Sequence, residues 1–380
     1  MSGLDLALLG DALGPWGWNG RVAATYLDAA EGSEGVRLPG RVIAVERDSS
    51  TLRLPEGERT GRLAGRFRDS TTVRADLPAT GDWVLVDPPD HDGPVRIVGR
   101  LPRASAFSRS SRDGGRGGPT AADEQVIAAN VDVVLLVSGL DGDLNLRRLE
   151  RYVALAWSSG ASPVVVLNKS DLAADPDAAI PAVEGVARGV PVVTVSALTH
   201  RGLESLDAWL TPAATVALLG SSGVGKSSLA NALLGEERQA TGAVRADDSK
   251  GRHTTTRREL LPLANGALLL DTPGMRALEL WDDGSGLDGA FDDIAALASA
   301  CRFGDCRHEN EPGCAVRAAV AAGRLARERL ESHHKLEREV RSIALRSDPV
   351  ARAVERKRWR AIHVSVREHM RTKYGEAYEG

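Results

Sequence analysis

Residues Gly220-Ser-Ser-Gly-Val-Gly-Lys-Ser227 follow a short apolar run at 216–219 and precede a helix-forming segment. The pattern G-x-x-x-x-G-K-[ST] between a strand and a helix is that of a phosphate-cradling loop. Gly220, Ser221, Ser222, Gly223, Val224 and Gly225 offer backbone N–H groups that can turn inward around phosphate oxygens, and Ser228 opens a helix whose dipole adds to the attraction. Lys226 is placed to reach the β- and γ-phosphates, and the Ser227 hydroxyl to sit on Mg²⁺. Downstream, the apolar run 268–270 ends in Asp271-Thr-Pro-Gly274. An Asp at a strand's carboxyl end, followed by a Gly, suits holding Mg²⁺ through water and sensing a γ-phosphate through a backbone N–H.

A second pair of strand ends addresses the base. The run 164–167 leads into Asn168-Lys-Ser-Asp171, and 192–195 leads into Ser196-Ala-Leu198. A carboxylate at Asp171 can accept two hydrogen bonds from guanine N1–H and N2–H₂, a pair that adenine does not offer. Lys169 can lay its methylene stem along the purine, and the Ala197 N–H can meet guanine O6. Asn168, Lys169, Ser170, Asp171, Ser196 and Ala197 therefore join the phosphate loop, Asp271 and Gly274 as candidate GTP or GDP contacts. The order is unusual, because the base motifs precede the phosphate loop. A sheet can keep its spatial arrangement when the chain is cut elsewhere, since domain termini lie near each other on the surface. The loop after Asp271 then leads directly into the C-terminal region.

All three cysteines fall in Cys301-x4-Cys306-x-His308-x5-Cys314. Three thiolates and an imidazole match a closed tetrahedral Zn²⁺ site, which is structural because no position stays open for substrate. No C-x-x-C pair is present, which argues against redox chemistry. His333, His334, His363 and His369 have no ligand-like neighbours and read as surface or RNA-facing residues.

These residues need a scaffold of two or three domains, the number expected for 380 residues. Residues 1–35 are weakly patterned and are taken as an N-terminal extension. Residues 36–104 read as short strands at 40–45, 50–54, 70–75, 82–86 and 94–98, broken by turn residues. An OB-type barrel and a plain structural β-module both fit that spacing. A Gly-rich tract at 112–119 follows. Continuous apolar runs then mark strands buried on both faces, separated by helices such as the one Asn145 can cap and Gly160 can stop. This is an α/β domain with a mainly parallel sheet over 105–290. Residues 291–380 read as helical, and 301–380 carry 18 Lys/Arg against 12 Asp/Glu, although the whole chain has net charge −4. Arg352, Arg356 and Arg360 would form one stripe on a helix. No apolar stretch approaches the ~20 residues of a membrane helix, and the first residues carry no basic region of a secretory signal. A cytoplasmic, monomeric chain without a membrane partner is expected.

Taken together, the permuted motif order, Ala129-Asn-Val-Asp132 at the first strand of the α/β domain, and the Cys301–Cys314 cluster with Glu311-Pro-Gly-Cys314 resemble one family: the circularly permuted, ribosome small-subunit-dependent GTPases (RsgA, also called YjeQ). The resemblance implies an N-terminal OB-like barrel, a circularly permuted P-loop GTPase domain and a helical zinc-binding C-terminal domain. It also implies GTP hydrolysis stimulated by the small ribosomal subunit and its rRNA, with a role in late maturation of that subunit. Many GTPases carry a water-orienting Gln just after D-x-x-G, whereas this chain has Met275. Similar proteins use the histidine of Gly251-Arg-His-Thr-Thr-Thr256, here His253, as the catalytic group. One of Thr254, Thr255 and Thr256 would share Mg²⁺ with Ser227. The competing reading is a guanine-nucleotide-gated RNA-binding protein in which hydrolysis is incidental. A metabolic kinase is disfavoured by the N-K-S-D motif and by the lack of a small-substrate constellation.

Overall fold

The computed structural model describes residues 6–31, 35–71, 73–89, 93–110, 124–236, 258–271 and 285–347. Two helices come first, α1 (Leu6–Leu13) and α2 (Gly20–Glu31). They and the connection between them pack Leu9, Leu13, Trp18, Val22 and Tyr26 against Trp83, Leu85 and Leu101 of the barrel. Trp18 meets both Trp83 and Tyr26 edge-on, with ring centroids 5.3 and 5.6 Å apart. The segment that looked weakly patterned in sequence thus caps the barrel.

The barrel consists of β1 (Leu38–Val45), β2 (Ser50–Leu54), β3 (Gly57–Leu63), β4 (Trp83–Val86) and β5 (Val95–Arg100), with a short helix α3 (Gly65–Ser70) after β3. Neighbours run β1-β2-β3-β5-β4, and β4 pairs back with β1 to close the ring. β3 and β5 are parallel while the other pairs are antiparallel. Val42, Leu52, Leu54, Val84, Val86, Val95 and Ile97 fill the interior. The expected strand at 70–75 is not formed: the end of α3 and a 3₁₀ turn (Arg74–Asp76) occupy it. The third strand is instead Gly-Glu-Arg-Thr-Gly-Arg-Leu, whose side chains are nearly all polar or absent. It contributes backbone hydrogen bonds more than apolar surface, so a pattern of hydrophobic residues passes over it.

After the hairpin of β6 (Ala106–Ser110) and β7 (Glu124–Ala129), the α/β region supplies β8 (Val133–Gly139), α4 (Leu146–Ser159), β9 (Ser162–Asn168), α5 (Ile180–Val186), β10 (Val192–Thr194), β11 (Thr215–Leu219), α6 (Lys226–Leu234), β12 (Glu259–Pro262) and β13 (Leu268–Asp271). The strand order is β10-β9-β8-β11-β13-β12, parallel except for β12. Strand alternation divides the core. Val134, Leu136, Val165, Leu167, Ala217 and Leu219 face α4 and α5. Val133, Leu135, Val164, Val166 and Val216 face α6. As the sequence predicts, Asn145 caps α4, its Oδ1 accepting from the Arg148 N–H at 3.0 Å, and Gly160 ends it at φ 85°.

The two sheets join. β12 pairs with β1 through Ala44 and Glu259, making eleven continuous strands among the described residues. Asn130 clasps the same junction. Its Oδ1 accepts from the Ala104 N–H at 2.9 Å and its Nδ2 donates to the Gly81 carbonyl at 3.0 Å. Gly81 is at φ 90°, and a Cβ there would lie 2.1 Å from the Ala129 oxygen. Arg41, 2 % exposed, donates to Thr215 Oγ1 at 3.0 Å and stacks over Trp83. Burial lowers its pKa to about 10 against the opposing pull of Asp132 and Asp82.

The C-terminal helices are α7 (Ser285–Ala290), α8 (Asp292–Ala298), α9 (Ala315–Ala321) and α10 (Arg327–Ser347). Leu287, Phe291, Ile294, Val316, Leu330 and Leu336 share one core with Leu149, Tyr152 and Val153 of α4. Arg329, buried, locks this contact. Its guanidinium pairs with Asp293 at 2.8 Å and with Glu150 of α4 at 3.1 Å, and it lies over the Phe291 ring. His333 packs edge-on against Phe291 in this core, which corrects the surface reading of that residue. The stripe Arg352, Arg356 and Arg360, and His363 and His369, lie outside the described residues. No helix among the described residues is long and apolar enough to cross a membrane.

Candidate nucleotide and metal sites

Ligands of open α/β sheets gather outside the carboxyl ends of the strands, and there the loops after β8, β9, β10 and β11 meet the end of β13. The phosphate loop leaves β11 between neighbours β8 and β13. Its Gly223 and Gly225 take φ 82° and 91°, values that L side chains adopt at a cost. A Cβ on Gly225 would stand 2.3 Å from Asn168 Nδ2. Lys226 Nζ folds over the loop and donates to the Gly220 and Ser221 carbonyls at 2.8 and 2.5 Å. The ammonium is therefore held above the backbone cradle, where a phosphate chain would lie. The residues fit such a group.

Asn168 ends β9 and is 1 % exposed. Its Nδ2 donates to the Val224 carbonyl at 2.9 Å, and its Oδ1 accepts from the Ala197 N–H at 3.0 Å. One side chain thus ties the N-K-S-D loop to both the phosphate loop and the S-A-L loop. The Ala197 N–H, expected to face guanine O6, points to Asn168 instead. Ser196 Oγ donates to Asp171 Oδ1 at 2.5 Å and accepts from the Thr199 N–H, which orients the carboxylate. Lys169 takes φ 64° and pairs with Asp141, whose carboxyl this hydrogen bond lowers below its ordinary pKa. Ser170 is buried beneath the loop. Asp271 closes β13 at the same edge. Ser221, Ser222, Ser227 and Ser228 lie in the loop and the first turn of α6, beside these groups. Gly274, Met275, His253, Thr254, Thr255 and Thr256 lie outside the described residues.

Sequence reasoning missed three residues here: Asp141, Asp143 and Arg148. Two carboxylates in the loop after a fully buried strand were a usable signal, because that loop has to open onto the same crevice.

The cysteine cluster is built by a separate segment, between α8 and α9. One ligand atom from each of Cys301, Cys306, His308 and Cys314 lies within 4.8 Å of the others, a set able to hold a metal ion. With metal–sulfur bonds of about 2.3 Å, a tetrahedral ion sets its sulfurs about 3.8 Å apart. Cys301 Sγ and Cys314 Sγ are 4.0 Å apart, and His308 Nδ1 stands 3.7 and 3.4 Å from them. The donor set fits. The Ala315 and Arg317 N–H groups point at Cys301 and Cys314 sulfurs at 3.3 and 3.4 Å, an arrangement that favours thiolate. Burial lowers the His308 pKa, favouring the neutral ring that a metal requires. Glu311 shapes the turn: its carboxylate accepts the Arg307, Glu309 and Asn310 N–H groups at 2.9–3.1 Å. These backbone bonds, with its own N–H first among them, hold its pKa at about 2.

Comparison with known proteins agrees with this arrangement. A family model described as RsgA GTPase matches residues 100–281. The small ribosomal subunit biogenesis GTPase RsgA of Opitutus terrae is 48 % identical over 92 % of this chain and 96 % of its own. Its counterpart from Streptomyces coelicolor is 44 % identical over 92 % of each chain. The crystal structure of YjeQ from Thermotoga maritima superposes with a TM-score of 0.60 at 27 % identity, covering 80 % of this chain and 99 % of that one. YloQ, described as a circularly permuted GTPase, gives 0.57 at 24 % identity and supports the fold. The chain belongs to the RsgA GTPase family.

Proposed function

We propose that this chain binds and hydrolyses GTP in the cytoplasm and assists late maturation of the small ribosomal subunit, whose particles stimulate its turnover. The observation that carries the nucleotide reading is Asn168, which braces the base motif and the phosphate loop as one unit. The names of the relatives, at 41–48 % identity over most of the chain, support the ribosomal role.

In this reading Asp171 accepts the guanine N1 and N2 hydrogens, with Ser196 fixing its rotamer. Lys169 covers the purine face. Gly220, Ser221, Ser222, Gly223, Val224, Gly225 and Ser228 surround the phosphates with backbone donors, and Lys226 exchanges its loop carbonyls for phosphate oxygens. Ser227 and one of Thr254, Thr255 and Thr256 would hold Mg²⁺, with Asp271 behind them. That ion would neutralise charge on the β- and γ-phosphates. Gly274 would sense the γ-phosphate. Met275 cannot orient a water, so His253 takes that role. Cys301, Cys306, His308 and Cys314 hold a structural Zn²⁺, consistent with a thiolate-rich donor set. The basic C-terminal region and the barrel would face rRNA.

Equilibrium binding of GTP, GDP and ATP to the full-length chain tests the nucleotide reading. GTP and GDP should bind at least about tenfold more tightly than ATP, the least that loss of one charge-assisted hydrogen bond implies. Equal affinity for ATP and GTP would overturn it.

A further inference from the structure

The loop between β8 and α4 aims two carboxylates at different halves of the nucleotide site. Asp141 grips Lys169 of the base motif. Asp143 Oδ2 accepts a hydrogen bond from Ser221 Oγ, in the phosphate loop, at 2.7 Å, and pairs with Arg148 Nη2 at 2.6 Å. Arg148 also donates to the Asp143 carbonyl, so one guanidinium holds both the side chain and the backbone of that residue. Arg148 lies in the first turn of α4, and its own N–H is the one that Asn145 caps. Both side chains of the ion pair are about 30 % exposed, so solvent screens the pair only in part.

A carboxylate beside a phosphate-binding loop is electrostatically costly, because it repels the anion the loop must attract. It becomes tolerable when a cation cancels it. Arg148 does so at Asp143 Oδ2, the same oxygen that accepts from Ser221. The result is a hydrogen-bond acceptor with little net charge, anchored to a capped helix and gripping the second residue of the phosphate loop.

We propose that Asp143 and Arg148 are positioning residues for the phosphate loop. Asp143 fixes Ser221 so that the loop N–H groups and Lys226 are already arranged for the phosphates, and Arg148 neutralises Asp143. The inference rests on the reading of this crevice as a guanine-nucleotide site. It assigns the pair no contact with the nucleotide and no chemical step.

The test is GDP affinity and GDP release rate, read with a fluorescent guanine nucleotide on the full-length chain. Arg148→Ala leaves an uncancelled carboxylate beside the phosphates, and affinity should fall about tenfold or more. Adding Asp143→Ala to that variant should recover most of the loss, and Arg148→Lys should retain part of the native affinity. Ser221→Ala should release GDP several-fold faster and add nothing further in an Asp143→Ala background. A merely structural role for Arg148 predicts the opposite pattern, with the double variant at least as weak as the single. That result, or Arg148→Ala binding within twofold of native, would overturn the proposal. Should Arg148→Ala fail to fold, the Ser221 and Asp143 pair decides alone: additive effects refute the coupling. If the native chain does not distinguish GTP from ATP, the nucleotide reading itself fails, whatever these variants do.

Discussion

The nucleotide crevice and the cysteine cluster are built on opposite plans. The crevice collects residues from 141 to 271, brought together by the carboxyl ends of parallel strands and tied by side chains such as Asn168. The cluster lies within 14 consecutive residues and is shaped by local backbone N–H groups directed at Cys301, Cys314 and Glu311. A site of the first kind exists only when the sheet is folded, and its residues can be changed without removing what holds the sheet. A site of the second kind has little core of its own, so the metal supplies much of the local folding energy. The two should therefore fail in different ways.

The largest effect is expected at the cluster. Cys306→Ser, or removal of the ion by a strong chelator, should abolish stoichiometric zinc and expose residues 291–347 to proteolysis, while GTP affinity stays within about threefold. Apparent binding energies of about 10–16 kcal/mol for structural zinc set this scale. A metal-free protein with an unchanged proteolysis pattern would erase the distinction between the sites. Asp171→Asn comes next. It should cost GTP roughly 1.5–3 kcal/mol, or one to two decades in affinity, improve binding of xanthine nucleotides and leave the melting temperature unchanged. A large fall in melting temperature would instead make Asp171 part of the scaffold.

A smaller effect sharpens the boundary between the regions. Burial pushes the Asp293 carboxyl up, but the hydrogen bonds and charge of Arg329 outweigh it and hold the folded pKa below the ordinary 3.8. The stabilisation from this group is therefore complete above about pH 4 and is lost as the pH falls through the lower folded value. Asp293→Asn should destabilise the packing of the C-terminal helices on α4 by about 1.5 kcal/mol at neutral pH. The gap between variant and native, followed by chemical denaturation, should narrow below pH 4. A gap independent of pH would show that Asp293 acts through packing rather than charge.

Much of this was legible in the sequence where residue type reports backbone geometry directly. The phosphate loop, the Asn145 cap and the runs that became β8, β9, β11 and β13 fall in this group. The barrel was read with one wrong strand, because β3 carries little apolar surface to mark it. Residues 6–31 escaped because their buried side chains are spread over two short helices with a Gly-Pro-Trp turn between them. Asn130 and Arg41 were invisible as junction residues: their partners Gly81 and Thr215 are 49 and 174 positions away. Such long-range polar contacts leave no periodic trace.

The sequence carries Met275 where many GTPases have a water-orienting Gln, so on the proposed reading hydrolysis should depend on the small ribosomal subunit. GTP turnover by the full-length chain, with and without purified small ribosomal subunits, tests this most directly. Slow release of phosphate by the protein alone and acceleration of at least about tenfold by the particle are expected, with GTP and not ATP as substrate. An identical rate with and without small subunits would contradict it.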